Sequence, residues 1–337
     1  MKNSEAYYFI GHLFALNIEE SRREEVLRQI ETNTIDWDKV VKLASDQLVL
    51  PLLYVKFTDA DLLDYLPDGL AQHLEMVYDL NLKRNQQLLV QADEIARCLR
   101  DVGIKPIFIK GMANLLSGLY SDLGERMMLD IDFLVHADEI PQAAEALKSF
   151  GYNKYAGEMY WDKSTKHFPR LTNSSRISDI EMHFNPASEK ACAGFGYSDI
   201  LRNGIEHDLF ILPSDLDGLR INFLHAMYDN KGFTHQKCSL RDMYDVFCYS
   251  TRVKLSSFNP TTEQLKVADA YFNVVKKALG LGDDFFLSNR LSSKRFISQH
   301  KRRLDSRLNQ KIARILNKLI VFAAKVRAFL SKYFYLL

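Results

Sequence analysis

The sequence predicts an α+β protein, with alternating strands and helices at its centre and helical regions on either side. Three observations predict it. Apolar residues recur at helical spacing through the first hundred positions; from Lys105 the texture changes to short β-rich runs alternating with helical ones; after Pro213 helical periodicity returns. The 337 residues suffice for two domains or one with sizeable extensions. We divide them into a helical region at 1–103, a core at 104–213, a second helical region at 214–293 and a basic amphipathic tail at 294–337.

In the first region, Leu88, Leu89, Ala92, Ile95 and Leu99 share one helical face, and Gly103 stands where that helix would stop. The stretch DWDKVVKLASDQLVLPLLYVKF predicts a helix interrupted near Pro51. In the core, KPIFIKG is a short strand closed by Gly111, MANLLSGLY a helix and MMLDIDFLV a strand. ADEIPQAAEALKSFGY is a helix with Asp138 as its expected N-cap and Ile140, Ala143, Ala144 and Leu147 on one face. RISDIEMHF is a further strand.

Two aspartates interrupt an apolar strand, which is costly unless something compensates them. Residues two apart in a strand share a face. Asp130 and Asp132 therefore project together with Met128 and Leu134, while Leu129, Ile131, Phe133 and Val135 face the core. In RISDIEMHF the same split puts Asp179, Glu181 and His183 on one face and Ile180, Met182 and Phe184 on the other. Two polar rows that meet would repel unless neutralised, and a hard divalent cation bridging carboxylates to phosphates would do so. Lys110 and Gly111, between a strand and a helix start, suit a phosphate, and Arg126, four residues before Asp130, suits another. The competing interpretation is a set of exposed acids on the wet face of an antiparallel sheet.

With FIKGMANLLSGLY, ERMMLDIDFLV and IEMHF, the sequence resembles the nucleotidyltransferases of the DNA polymerase beta superfamily. It is most similar to their uncharacterised bacterial nucleotidyltransferase family, with strand–Lys-Gly–helix, Arg before Asp-x-Asp, and acid-x-His. The similarity runs from about Asp36 to about Ser250, through DWDKVVKLA, LPLLY, LHAMYDNKGF and LRDMYDV. The resemblance implies a mixed sheet with helices behind it and an active site at its edge. It makes Asp130, Asp132 and Glu181 the catalytic carboxylates and ligands of Mg²⁺ or Mn²⁺. Lys110 and Gly111 stand where the wider superfamily has Gly-Ser, and Glu181 is one methylene longer than the Asp of the wider pattern.

His183 would orient a carboxylate or contact substrate, or be a hydrogen-bonded structural histidine. His225, Arg241 and Asp245 match the later helical motifs; an intrahelical Arg241–Asp245 ion pair with a structural role is the leading expectation, and a cleft contact the alternative, while His225 and Lys231 would reach a phosphate or base. Trp37 and Trp161 are expected to pack. Lys294 to Lys332 holds twelve basic residues and one acid, Asp305, leaving a body of 32 basic and 42 acidic residues at −10. In this tail Leu304, Leu308, Ile312, Ile315, Leu319, Phe322, Val326, Phe329 and Tyr333 form a stripe. Such a helix would dock on the acidic body, lie on an anionic membrane, or bind RNA.

The four cysteines lack metal-ligand spacing, the N-terminus lacks a cleavable signal, and no uncharged run approaches ~18 residues. A cytoplasmic protein is expected, with peripheral membrane contact through the tail as an option. The expected activity is metal-dependent transfer of a nucleoside monophosphate from a nucleoside triphosphate, with ATP the expected donor, to a small molecule, tRNA or protein acceptor. The alternatives are a non-catalytic nucleotide- or partner-binding module on the same fold, and an accessory protein acting on membrane or RNA through its tail.

Overall fold

A computed structural model describes residues 1–154, 166–192, 194–283, 285 and 291–306. Two compact units result. A sheet unit is built on Leu88–Ala113 and Leu129–Ser214, and a helical unit on Met1–Gln87, Asn114–Met128 and Asp215–Asp305. The helical regions that flank the core in sequence thus join as one unit.

Among the described residues the sheet has seven strands: β1 Ile107–Phe108, β2 Asp130–Leu134, β3 Asn153–Lys154, β4 Leu171–Thr172, β5 Asp179–His183, β6 Ile205–Glu206 and β7 Ile211–Leu212. Their order is β3-β4-β5-β2-β1-β7-β6. β2 runs parallel to β5, β1 parallel to β7, and the other pairs are antiparallel, so the sheet is mixed. Ile131, Phe133, Ile180 and Met182 are fully buried on its apolar face.

The helix Leu70–Arg100 buries Leu88, Ala92, Ile95 and Leu99 within the sheet unit. Gly103, at φ +80°, ends it: Ile104 N donates to Leu99 O and Gly103 N to Arg100 O, the paired bonds of a Schellman stop. Gln91 anchors this helix beside β5, its Nε2 donating to Ser178 O at 2.7 Å while Ser178 N donates to Gln91 Oε1 at 3.2 Å. The active strand is thereby fixed one residue before it begins.

In the helical unit, DWDKVVKLA forms a helix at Trp37–Asp46, capped by Asp36, whose carboxylate accepts from Lys39 N. The interruption falls before Pro51, which sits in the first turn of the next helix, Leu50–Asp59, where its missing N–H costs nothing. Trp37 packs its ring edge-on against Phe9; Trp161 lies outside the described residues. The helix Leu291–Asp305 docks on its own unit. Phe296 stacks on Phe233, His300 Nδ1 donates to Gln236 O at 2.8 Å, and Asp305 accepts from the Ser4 backbone and hydroxyl. That is the first part of the predicted tail; its stripe from Leu308 onward lies outside the described residues. No described helix is long and apolar enough to cross a membrane.

Three local expectations are corrected. Asp138 does not cap the helix Ile140–Ser149: a 3-10 turn, Ala137–Glu139, precedes it, and His136 caps that turn by accepting from Asp138 N. β2 begins at Asp130, so Leu129 is 63% exposed and Met128 is buried, the reverse of simple alternation. Asp245 does not pair with Arg241: Arg241 lies 3.7 Å from Asp242, and Asp245 takes Arg126.

Candidate active site

β2 and β5 lie side by side with Asp130 abreast of Asp179 and Asp132 abreast of Glu181. In a parallel pair, abreast side chains share a face, so the two polar rows form one acidic surface. His183, abreast of Leu134, closes the row. Its ring is fully buried. Its Nε2 donates to Asp132 Oδ1 at 2.7 Å and stands 3.5 Å from Glu181 Oε2.

Lys110 reaches the same carboxylate from β1. Ile109 N donates to Asp132 O, and the chain then turns into the short helix Lys110–Leu116 with Lys110 at φ +54°. A non-glycine residue in the left-handed region is strained by roughly 1–2 kcal/mol, and such strain concentrates at functional sites. The turn aims the lysine across the row: Nζ lies 2.5 Å from Asp132 Oδ1 and 3.5 Å from His183 Nε2.

Arg170, which sequence reasoning missed, supplies the second cation. Its guanidinium donates to Glu181 Oε1 at 2.6 Å and lies 3.6 Å from Asp130 and 3.9 Å from Asp179. A bulge places it. His167 bridges His183 while Leu171 pairs with Ile180, so this stretch carries one more residue than the β5 stretch opposite. Pro169 and Arg170 fall inside that stretch, and a bulge of this kind re-aims a side chain. No residue pattern marks it in advance, because the extra residue appears only once both pairings are known.

The electrostatics follow. Burial alone would raise the Asp132 carboxyl, but Lys110 and His183 hold it well below the usual carboxylate range. Glu181 is likewise lowered despite burial, through the His183 hydrogen bond and the Lys110 charge. Burial would lower the Lys110 ammonium, yet Asp132 raises it above its ordinary value. Asp130 is pushed up to about 6, by burial first and then by Asp132 and Glu181.

The donor set fits a divalent ion. One ligand atom each from Asp132, Glu181 and His183 lies within 4.8 Å of the others. Ligands 2.0–2.1 Å from an octahedral ion stand about 3 Å apart, close to the distances between His183 Nε2 and the two carboxylates. Asp130 stands outside this tight group, on the same face.

Arg126 and Asp245 belong to the helical unit. There Arg126 Nε and Nη2 each donate to a different oxygen of Asp245 at 2.8 Å, and Tyr120 donates to the same carboxylate at 2.7 Å. Asn81 and Asn85 donate to the Arg126 carbonyl, and Gly124 lies so close to Tyr78 that a Cβ would stand 2.4 Å from the ring. The guanidinium is buried and doubly bonded. His225 opens a π-helical turn, His225–Asp229, and its Nε2 pairs with Asn230 Nδ2 at 3.0 Å. Lys231 follows at φ +54° and is exposed. The structure thus brings Lys110, Asp130, Asp132, Glu181 and His183 together in one unit, with Gly111 following Lys110, and places Arg126, His225, Lys231, Arg241 and Asp245 in the other.

The model of the family described as "Uncharacterised nucleotidyltransferase" matches residues 33–278. The chain belongs to this family. The matched span takes in β1, β2 and β5 and the whole acidic row, and the α+β architecture with its mixed sheet is that of the family. Family membership gives transferase activity at the coarse level, with a nucleotide as substrate; nucleotidyltransferases typically use divalent metals, and the Asp132–Glu181–His183 group is a candidate site for one. No curated protein matches the chain.

Proposed function

We propose that the protein is a metal-dependent nucleotidyltransferase that moves a nucleoside monophosphate from a nucleoside triphosphate, ATP being the expected donor, to an acceptor, releasing pyrophosphate. The single observation that carries this is the in-register row of Asp130, Asp132, Asp179 and Glu181 across two parallel strands, with a buried histidine and a lysine at its end. Mg²⁺ or Mn²⁺ bound there supplies Lewis-acid charge at the phosphates and lowers the pKa of an acceptor hydroxyl. Asp132 and Glu181, both held ionised at neutral pH, bind the ion, and Asp130 completes the catalytic set. Lys110 and the Gly111 backbone orient phosphate oxygens and offset developing negative charge. Arg170 holds Glu181 in place through its 2.6 Å bond. Arg126 acts through the Asp245 pair, as a support for the chain leading to β2.

Four buried cysteines, none of them in a disulfide, fit a cytoplasmic enzyme. The acceptor belongs to a small molecule, a tRNA end or a protein. Incubation with α-labelled nucleoside triphosphates and cell extract tests both donor and acceptor. Labelled product should appear with the native protein and fall at least ~100-fold with Asp132→Asn. Undiminished labelling by a folded Asp132→Asn protein would refute the assignment.

A further inference from the structure

We propose that His183 is itself a metal ligand through Nε2, so that the centre takes a first-row transition ion such as Mn²⁺ in preference to Mg²⁺. The inference rests on the nucleotidyltransferase reading only for the presence of a metal, and four observations carry it.

Nε2 lies 2.7 Å from Asp132 and 3.5 Å from Glu181, so the imidazole belongs to the tight donor group that Asp130 does not join. The ring is wholly buried, and its backbone is pinned by Val135 N donating to His183 O and by the bridge to His167. Lys110 already holds a positive charge 2.5 Å from Asp132 and 3.5 Å from Nε2, marking the position as one that favours a cation.

The fourth concerns the proton. Ligation requires Nε2 to give up its hydrogen, and Nδ1 then carries it. Nδ1 is buried without a hydrogen-bond partner. It is a bare acceptor before the shift and a bare donor after it, so moving the proton adds no new unsatisfied group.

Two carboxylate oxygens and one imidazole nitrogen make a mixed donor set. Mg²⁺ selects oxygen and keeps its waters. Imidazole raises affinity for transition ions along the Irving–Williams series. The imidazole nitrogen therefore shifts the site toward transition ions, Mn²⁺ being the weakest binder of that series, and away from Mg²⁺.

The test loads the full-length protein with Mn²⁺ alone and records pulsed electron paramagnetic resonance. Nitrogen-14 modulation from a directly bound imidazole is expected. It should change to the nitrogen-15 pattern when histidine alone is isotopically labelled, a measurement that needs no variant. His183→Asn should remove the modulation and reduce the Mn²⁺-over-Mg²⁺ preference in competition titrations to within about twofold, whereas His167→Phe should leave both intact. Mn²⁺ binding that is lost in Asp132→Asn but shows no histidine nitrogen would overturn the ligand assignment while leaving the nucleotidyltransferase reading standing. Modulation that persists in His183→Asn, or Mg²⁺ displacing Mn²⁺ at equal concentration, would also overturn it. Absence of both metal binding and label transfer would remove both readings together.

Discussion

Replacing Lys110 by Met keeps the apolar stem and removes the ammonium. That ammonium sits 2.5 Å from a buried carboxylate. At an effective dielectric constant near 20, Coulomb's law gives about 7 kcal/mol of gross attraction at this distance. Desolvation of both groups offsets much of it, and removing one partner of a buried pair costs ~3–5 kcal/mol. A metal ion entering the site must first displace the lysine from Asp132 Oδ1. In Lys110→Met that cost is gone, so at the low end of ~3 kcal/mol the ion should bind about 100-fold more tightly. The same change should weaken nucleoside triphosphate binding, because a phosphate partner is lost. Two measurements check this: calorimetric titration with Mn²⁺, and thermal melting in chelator and in saturating Mn²⁺. Lys110→Met should melt well below the native protein in chelator and recover when metal is added. An unchanged Mn²⁺ affinity, with melting equally depressed in both conditions, would show that lysine and ion do not share the site and would refute the reasoning.

Arg126→Met should destabilise the fold by ~3–5 kcal/mol in urea titrations by stranding the Asp245 carboxylate, with partial recovery in the Arg126→Met/Asp245→Leu double variant. A stable Arg126→Met protein with weakened nucleotide affinity would return Arg126 to direct phosphate contact. Glu125 is pushed up to about 7, by burial first and with Lys56 opposing. Its folded value is above the ordinary 4.5, so its contribution to stability is full below pH 4.5 and falls away as pH rises to about 7. Glu125→Gln should therefore gain up to ~3 kcal/mol over the native protein between pH 4.5 and 8, while Lys56 retains Asp59 at 3.8 Å; a pH-independent difference in denaturant midpoint would contradict this. Phe296→Ala, which removes the ring stacked on Phe233, should cost ~3–5 kcal/mol, and an unchanged melting temperature would mean that the helix Leu291–Asp305 docks without stabilising the protein.

The acidic row was legible because a period of two is a property of the backbone. Once β2 and β5 are strands, Asp130 and Asp132, and likewise Glu181 and His183, must share a face, whatever lies around them. The pairing of Asp132 with Glu181 follows from register, which the apolar faces enforce, since a one-residue slip would turn Ile131 and Phe133 to the polar side. Arg170 was not legible. Its position depends on one inserted residue between two pairings, and a lone Arg beside Pro169 carries no periodic signal. The partner of Asp245 was hidden for another reason. Arg241 lies four residues away and offers a local pair worth a few tenths of a kcal/mol. Arg126 lies 119 residues away and offers a buried, doubly bonded one. Helical spacing describes the first and is silent about the second. Asp138 failed as a cap because an extra 3-10 turn moved the helix start beyond it.

The charge balance of the row explains why it holds a lysine at a strained turn where a glycine would fit without cost. Asp130, Asp132, Asp179 and Glu181 bring four negative charges to one face when all are ionised, and Lys110 and Arg170 return two. Without Lys110 the imbalance would be larger, and Asp132, the most deeply placed of the four, would have only His183 against it. The left-handed conformation of Lys110 costs roughly 1–2 kcal/mol, less than the ~3–5 kcal/mol of an unpaired buried carboxylate, so the strained turn is the lower-energy arrangement. The remaining charge of −2 is what one divalent cation cancels. Asp130, on the same face, has its carboxyl pushed up to about 6, by burial first and then by Asp132 and Glu181. The site is thus stable enough to fold with two cations and still short of neutrality by the charge of the ion its donor atoms fit.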